Sequence, residues 1–255
     1  MEINYIYFDE IDSTNNEIKR RIEEHIPEGT VVSAGMQTAG RGRSGHDWKS
    51  PKNVSVATSM ALYPKQVKLS NVPRLTLIAA VAVAKAIENL YGLQTQIKWP
   101  NDILVHEKKI CGILTEMNAK AQVVENVVVG IGVNVHNLDF DSEISHMATS
   151  IDLALKEEGK SIETHCKDVT EEIWKQFVFY YEGFLKTEDL REILDFYNER
   201  LVNRNRLVRV LDPLGEYEAV AKEMLSTGEL LVEKDGKEIK IDSGEVSVRG
   251  IYGYV

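Results

Sequence analysis

Cysteine is scarce in this sequence, because Cys111 and Cys166 are the only two among 255 residues. Two thiols this far apart form neither a disulfide framework nor a metal-binding spacing, and their scarcity fits a reducing compartment. Long apolar runs are also lacking, since the most apolar stretch, residues 75–83, is too short to span a bilayer. The first residues are charged and mixed, unlike a secretory signal. We therefore expect a cytoplasmic protein with no membrane partner.

Basic residues are outnumbered by acidic ones, with 30 Lys and Arg against 40 Asp and Glu, which gives a formal net charge of −10. A general binder of the nucleic-acid backbone needs a basic face. Nucleic acid is therefore not an expected partner, although the chain can still hold a local basic pocket for a small anion. A length of 255 residues allows one large domain, or a main domain with a small appendage.

Up to about residue 203 the hydrophobic pattern changes repeatedly between strand and helix periods. It predicts strands at residues 3–8, 30–35, 54–62, 96–99, 103–105, 109–117 and 123–134, the last of them central. It predicts helices at about 14–25, 73–91, 143–158, 162–185 and 188–201, with the apolar second helix buried. Thr14 with Glu17 three positions later predicts a capping box at the first helix, and Gly92 is expected to stop the second.

After residue 203 the pattern changes to short strands separated by turn signals. Strands are predicted at 207–211, 217–224, 229–233, 238–241 and 245–250, with turns at 212–215, 226–228 and 235–236. Strands this short at this spacing predict a small barrel. We therefore divide the chain into residues 1–203 and 204–255. No Pro/Ser-rich linker separates the two parts, so we expect them to pack together.

The polar loop at residues 37–53 imitates two phosphate-binding motifs. Gly35 and Gly40 have the P-loop spacing, but Arg41-Gly42 stands where Lys and Ser/Thr are needed. Gly40-x-Gly42-x-x-Gly45 spells the dinucleotide fingerprint, yet no helix start follows it and no acidic residue stands about twenty positions on. Both motifs are rejected. The loop still combines glycines, which let N–H groups approach an anion, with two guanidinium forks. A flexible surface loop with two solvated arginines explains the same residues.

Five motifs taken together are far more specific, and in order and spacing they resemble those of biotin protein ligases. They are Ser13-Thr14-Asn15, Gln37-Thr38-Ala39-Gly40-Arg41-Gly42-Arg43-Ser44-Gly45-His46-Asp47-Trp48, Lys98-Trp99-Pro100-Asn101-Asp102, Lys109-Ile110-Cys111-Gly112-Ile113-Leu114 and Gly130-Ile131-Gly132-Val133-Asn134-Val135. The resemblance covers the whole chain and reaches a segment near residues 244–250. The loop departs from many family members at Ser44-Gly45-His46, where they carry further basic residues.

The resemblance implies an α+β fold in which helices flank a mixed sheet, as in class II aminoacyl-tRNA synthetases and biotin ligases. A small C-terminal SH3-like β-barrel follows in the family. Some members carry an N-terminal DNA-binding domain, whereas this sequence starts at the first catalytic strand, so we expect a monofunctional enzyme. Family members are often dimers, which leaves a homodimer open for this chain.

The resemblance also implies a two-step reaction. ATP converts biotin to biotinyl-5'-AMP with loss of pyrophosphate, and biotin then passes to a specific lysine of the biotin carboxyl carrier protein domain of a carboxylase. ATP brings Mg²⁺ with it, held largely through the phosphates, and no protein ligand for the metal is identified.

Residue roles follow from the resemblance. Lys109 is implied to contact the biotin carboxylate and the α-phosphate, Arg43 the phosphate of the adenylate, and Asp102 the incoming lysine amine. Trp48 is implied to stack on adenine and Asn134 to bind its edge, beside Arg43 and Lys109. The residues implied to bind biotin are Ser13, Thr14, Asn15, Gln37, Arg41, Gly42, Arg43, Lys109, Gly112, Gly130 and Gly132.

Simpler alternatives exist for these residues and for the whole chain. Lys109 could be a solvated lysine like Lys108, Asp102 and Asn134 turn residues, and Trp48 a loop anchor. Gly130 and Gly132 could mark a β-bulge. A lipoate–protein ligase is the nearest alternative enzyme, and a biotin-sensing regulator without catalysis is an alternative of another class.

Overall fold

The computed structural model describes residues 1–49, 51–212, 215–243 and 247–250. Its larger part is a seven-stranded sheet in the order β1-β2-β3-β7-β6-β5-β4. The strands are β1 Asn4–Phe8, β2 Thr30–Ala34, β3 Ser55–Leu62, β4 Gln96–Lys98, β5 Asp102–Val105, β6 Lys108–Lys120 and β7 Val123–Asn134. Only β1 and β2 pair in parallel among these neighbours. The predicted mixed sheet with β7 at its centre is therefore confirmed.

Helices cover this sheet. They are α1 Thr14–Glu23, α2 Arg74–Tyr91, α3 Ile151–Glu157, α4 Cys166–Thr187 and α5 Arg191–Arg200. The apolar stretch Leu69–Tyr91, which contains α2, is long enough to cross a membrane, but 78% of its most apolar window is buried within the fold. Gly92 ends α2 in the left-handed conformation at φ 62°, as predicted. On α4, the buried Trp174 indole donates to Thr58 Oγ1 of β3 at 2.9 Å, which satisfies its N–H inside the core.

Two local predictions are wrong. The first helix has Ser13 as its N-cap, without a side-chain capping bond. Thr14 is the first helical residue, and its hydroxyl donates to Gln37 Oε1 at 3.1 Å. Glu17 pairs instead with Arg21 at 2.8 Å. The helix predicted over 143–158 is confined to α3, because Ser150 is extended and its Oγ caps the helix by accepting from Leu153 N at 3.2 Å.

The C-terminal part is a five-stranded antiparallel sheet in the order β11-β10-β9-β8-β12. Its strands are β8 Leu207–Leu211, β9 Tyr217–Met224, β10 Leu230–Lys234, β11 Lys237–Ile241 and β12 Ser247–Gly250. Within the described residues the end strands β11 and β12 do not pair, so the predicted small barrel is observed as a separate antiparallel sheet without closure. Residues 213–214 of one predicted turn and 244–246 of the last motif lie outside the described residues.

The two parts of the chain pack together, as predicted. The buried Trp99 indole donates to Gly228 O at 3.4 Å, and Leu190 N donates to Ser226 O at 2.9 Å. Apolar side chains from both parts belong to one continuous core cluster. The predicted boundary at 203–206 falls between the end of α5 and the start of β8.

Candidate active site

A pocket lies on the sheet where β6 and β7 run side by side, beneath the loop at 37–48 and the start of α1. Its walls contain Ser13, Thr14, Asn15, Gln37, Arg41, Gly42, Arg43, Trp48, Asn101, Lys109, Gly112, Ile113, Leu114, Gly130, Ile131 and Gly132. Every residue predicted to bind biotin is among them. The cavity measures about 50 Å³, against roughly 300–1,000 Å³ for typical small-molecule pockets.

Lys109 reaches this pocket because of an irregularity in its strand. The pairing of β5 with β6 shifts register between Ile103 and Leu104. Ile103 lies opposite Cys111, whereas Leu104 lies opposite Lys109. The extra residue, Ile110, changes the alternation of side chains, so Lys109 faces the same side as Gly112 three positions later. Its Nζ lies 3.3 Å from where a Cβ on Gly112 would stand.

The backbone of Lys109 is held on its other side by the loop that follows β7. Lys109 N donates to Met147 O at 2.7 Å, and Thr149 N donates to Lys109 O at 2.9 Å. The ammonium group lies 2.6 Å from Asp102 Oδ1. Lys108 instead approaches Glu157 of α3 at 3.7 Å, so the two adjacent lysines point to different places.

Arg43 forms a second cation at the same end of the pocket. Its Nη2 donates to Ser243 O of the C-terminal part at 3.0 Å, and Nη1 lies 3.4 Å from Asn101 Oδ1. Burial lowers the pKa of Arg43, and the charge of Asp102 opposes that shift. A guanidinium remains protonated at neutral pH, so Arg43 and Lys109 together place two positive charges beside one carboxylate.

The opposite end of the pocket is a chain of amide and hydroxyl groups that ends on the carboxylate of Glu116. Gln37 Oε1 accepts from Thr14 N at 2.8 Å and from Thr14 Oγ1 at 3.1 Å. Ser59 Oγ lies 2.7 Å from Thr14 Oγ1 and 2.5 Å from Asn15 Oδ1. Asn15 Nδ2 donates to Glu116 at 2.7 Å. The sequence therefore brings amides and hydroxyls from α1, β3 and the loop to one place.

Glycines form the floor between the two ends. Gly130 and Gly132 pair regularly with both neighbouring strands, so the alternative of a bulge there is wrong. A methyl on Gly130 would lie 2.9 Å from Asn15 Cγ. A methyl on Gly132 would lie 2.5 Å from Trp48 Nε1. The glycines are thus covered by side chains of this protein, and the indole of Trp48 accounts for the small cavity.

The indole of Trp48 is held in the pocket by van der Waals contacts, while its backbone N donates to Gly40 O at 3.0 Å. Its ring also approaches Gly112, where a methyl would lie 3.1 Å from Cζ3, and Lys109 Nζ lies 5.8 Å from a ring centre. The Nε1 atom is buried and has no hydrogen-bond partner in the part of the chain that the structure describes. A flat aromatic ring is thereby accommodated on the glycine floor beside the two cations.

Two predicted site residues stand apart from the others. Asn134 is buried at the end of β7 and outside the pocket wall, where its Nδ2 donates to Thr149 O at 3.1 Å. Its Oδ1 is the atom left to accept a further hydrogen bond. Arg41 lines the pocket but turns toward α1, donating to Asn16 Oδ1 at 2.6 Å.

Sequence reasoning missed three polar residues of the site, one of which is Asn101 in the pocket wall. Ser59 is fully buried in β3, opposite Gly130, and Glu116 lies on β6. A polar residue in the middle of an apolar central strand was the available signal for Ser59, together with its neighbour Thr58. The rejected dinucleotide fingerprint stays rejected, since His46 after Gly45 is extended, with φ −71° and ψ 144°.

Comparison with known proteins assigns the chain to a class. The model of the biotin/lipoate A/B protein ligase family matches residues 7–134, and the chain belongs to this family. A solved structure of biotin protein ligase from Aquifex aeolicus, in complex with biotin and ATP, is 28% identical and superimposes with a TM-score of 0.82 over 97% of this chain and 99% of that one.

Two curated relatives are similar in sequence. The bifunctional ligase/repressor BirA of Bacillus subtilis is 46% identical over 154 residues, which are 60% of this chain and 47% of that protein. The biotin–[acetyl-CoA-carboxylase] ligase of Paracoccus denitrificans is 36% identical over 126 residues, which are 49% of this chain and 51% of that protein. The chain thus matches about half the length of these relatives.

Proposed function

We propose that this protein activates biotin with ATP to form biotinyl-5'-AMP and transfers the biotin to a lysine of a biotin carboxyl carrier protein domain. The observation that carries the proposal is the pocket itself. It joins two cations at one end to a chain of amides and hydroxyls at the other, over a glycine floor that holds a flat ring. The biotin–[acetyl-CoA-carboxylase] ligase among the relatives and the solved biotin protein ligase with biotin and ATP support the same substrate.

The cationic end fits the first step. A carboxylate oxygen of biotin attacks the α-phosphorus of ATP, the bond to the bridging oxygen breaks, and pyrophosphate leaves. Two anions must meet, so the barrier is largely repulsion and positioning. Lys109 and Arg43 lie where they would neutralise the carboxylate and the α-phosphate together. In the second step the neutral amine of the carrier lysine attacks the acyl carbon and expels AMP.

The polar end fits the head group of biotin. A cyclic urea has one carbonyl and two N–H groups and needs both donors and acceptors. Gln37, Thr14, Ser59 and Asn15 supply both in one connected chain. The dithiolane ring of lipoate has no such groups, so it would cover these polar side chains without making any hydrogen bond to them, at a cost in binding.

ATP–pyrophosphate exchange tests the proposal. With biotin present, the purified protein is expected to incorporate labelled pyrophosphate into ATP, and the rate with lipoate is expected to be at least about 10³-fold lower, because a site built for N–H groups rejects an analogue without them. Exchange with lipoate alone would instead identify a lipoate ligase. Biotin binding without any exchange would identify a regulator.

Asp102 is proposed to orient Lys109, because its carboxylate lies 2.6 Å from that ammonium. The substitution D102N keeps the shape and removes the charge. We expect both pyrophosphate exchange and transfer to the carrier to fall, each by roughly 10- to 100-fold, as expected when a close ion pair in the site loses one of its two charges. Single-turnover transfer from preformed biotinyl-5'-AMP measures the second step separately. A defect confined to that step would assign Asp102 to the incoming amine instead.

The proposal also includes the metal ion, the carrier protein, the cellular location and the oligomeric state. Mg²⁺ is expected to enter with ATP, bound through the phosphates, because no cluster of three or more His, Cys, Asp or Glu suited to a metal occurs among the described residues. The carrier domain is proposed to belong to a carboxylase, and the protein to act in the cytoplasm.

A homodimer is also proposed. It is supported by the position of β1 at the edge of the sheet, where Tyr5 and Tyr7 are exposed.

A further inference from the structure

Glu116 joins three parts of the site without lining the pocket. Its Oε2 accepts from Asn15 Nδ2 at 2.7 Å, and its Oε1 accepts from Lys19 Nζ at 2.7 Å. Arg41 Nη2 lies 3.6 Å from the same Oε1. One carboxylate on β6 thus contacts two residues of α1 and Arg41 of the loop at 37–48.

The contact with Glu116 determines which way the amide of Asn15 faces. An ionised carboxylate can only accept hydrogen bonds, so Asn15 must present its NH₂ group to it. The carbonyl Oδ1 then faces Ser59 Oγ at 2.5 Å, on the side of the pocket. An amide turned the other way would leave two acceptors facing each other and would offer the pocket a donor in place of an acceptor.

Packing keeps the amide in this place. Asn15 is 5% exposed and lies directly over Gly130, where even a methyl group would collide with it. Burial raises the pKa of Glu116, but hydrogen bonds from Lys19 and Asn15 and the charge of Arg41 outweigh that effect and keep the pKa below its ordinary value. Glu116 is therefore ionised at neutral pH and acts as an acceptor only.

We propose that Glu116 is a positioning residue that determines head-group specificity. By orienting Asn15 it makes the end of the pocket present a carbonyl acceptor, which selects substrates whose head group carries an N–H donor, such as a cyclic urea. The inference rests on the proposed function, since it concerns the biotin end of the same pocket. It adds the reason why the amide faces as it does, and it assigns a role to a residue outside the pocket wall.

The test inverts the hydrogen bond between the two side chains. E116Q replaces a charged acceptor by a neutral one and is expected to raise the KM for biotin about tenfold in the exchange assay. N15D places two carboxylates together and is expected to raise it by roughly 100-fold. The double variant N15D/E116Q lets the new amide donate to the new carboxylate, so its KM for biotin is expected to return to within about threefold of that of E116Q. Titration calorimetry with biotin measures the same changes without catalysis.

A matched control separates positioning from general damage. Glu125 on β7 accepts from Asn118 Nδ2 of β6 at 3.1 Å, which is the same pair of residue types at an exposed place away from α1 and the pocket. E125Q should leave the KM for biotin unchanged, and none of the variants should change the KM for ATP more than about twofold. An unchanged KM for biotin in E116Q, or no recovery in the double variant, would overturn the inference. Absence of biotin binding and exchange in the unmodified protein would refute the proposed function instead.

Discussion

Replacing Lys109 by alanine is expected to lower biotin-dependent pyrophosphate exchange by about 10³-fold, at the upper end of what removing one preorganised group aimed at the developing charge costs. Lys109 lies between the glycine floor and Asp102, and both anions of the first step must approach it. The substitution is expected to lower mainly kcat/KM for both biotin and ATP, because the Lys109 ammonium stabilises the transition state in which the carboxylate and the α-phosphate meet. Initial rates at varied biotin and ATP measure this.

Lys108→Ala is the matched control for this prediction. It removes the same charge one position earlier, but from a side chain that lies near Glu157 on α3. Exchange is expected to stay within about twofold of the unmodified rate, since an exposed pair of this kind contributes little. Equal losses of exchange rate in the two variants, with unchanged thermal unfolding, would contradict the prediction. They would show that exchange depends on the strand and not on the ammonium group of Lys109.

Most of the fold was predictable because its segments have strong local periods. The run in β7 is apolar over most of its length and could only be a buried strand, and α2 is apolar around most of its surface. Gly92 marked the end of α2 by a conformation that glycine adopts easily. The helix predicted over 143–158 failed at its start, because the capping hydroxyl of Ser150 competes with helix continuation and is recognised only once α3 is placed.

The site was less predictable because its geometry depends on contacts between distant segments. The motifs placed Lys109 and Arg43 in one pocket, but nothing local indicated that Arg43 would reach Ser243, 200 residues further along the chain. The carboxylate of Glu116 is 101 residues from its partner Asn15. The position of Trp48 on the glycine floor depends on how the loop closes. Such features follow from tertiary packing, which the local pattern does not record.

Gly130→Ala is expected to have the second large effect, a loss of biotin affinity of about 30- to 1,000-fold. The added methyl would overlap the amide of Asn15, with Cγ at 2.9 Å and Nδ2 at 3.1 Å from the new carbon. Asn15 is buried and bonded to both Ser59 and Glu116, so displacing it breaks these two hydrogen bonds. Losing one charge-assisted hydrogen bond and one neutral one costs roughly 2–4 kcal/mol, which corresponds to about 30- to 1,000-fold in Kd. Titration calorimetry with biotin measures the affinity directly.

The same substitution at Gly183 shows whether the loss comes from the site. Gly183 lies inside α4, and the three atoms nearest to a methyl there belong to the carboxylate of the exposed Glu192, which can turn into solvent. Gly183→Ala is therefore expected to leave biotin affinity unchanged and to stabilise the helix by about 0.5–1 kcal/mol. Gly130→Ala should combine the lost affinity with destabilisation of roughly 1–3 kcal/mol from overpacking. Full biotin affinity in Gly130→Ala would mean that Asn15 can leave its place on the floor without consequence, and that the polar end of the pocket does not bind the head group.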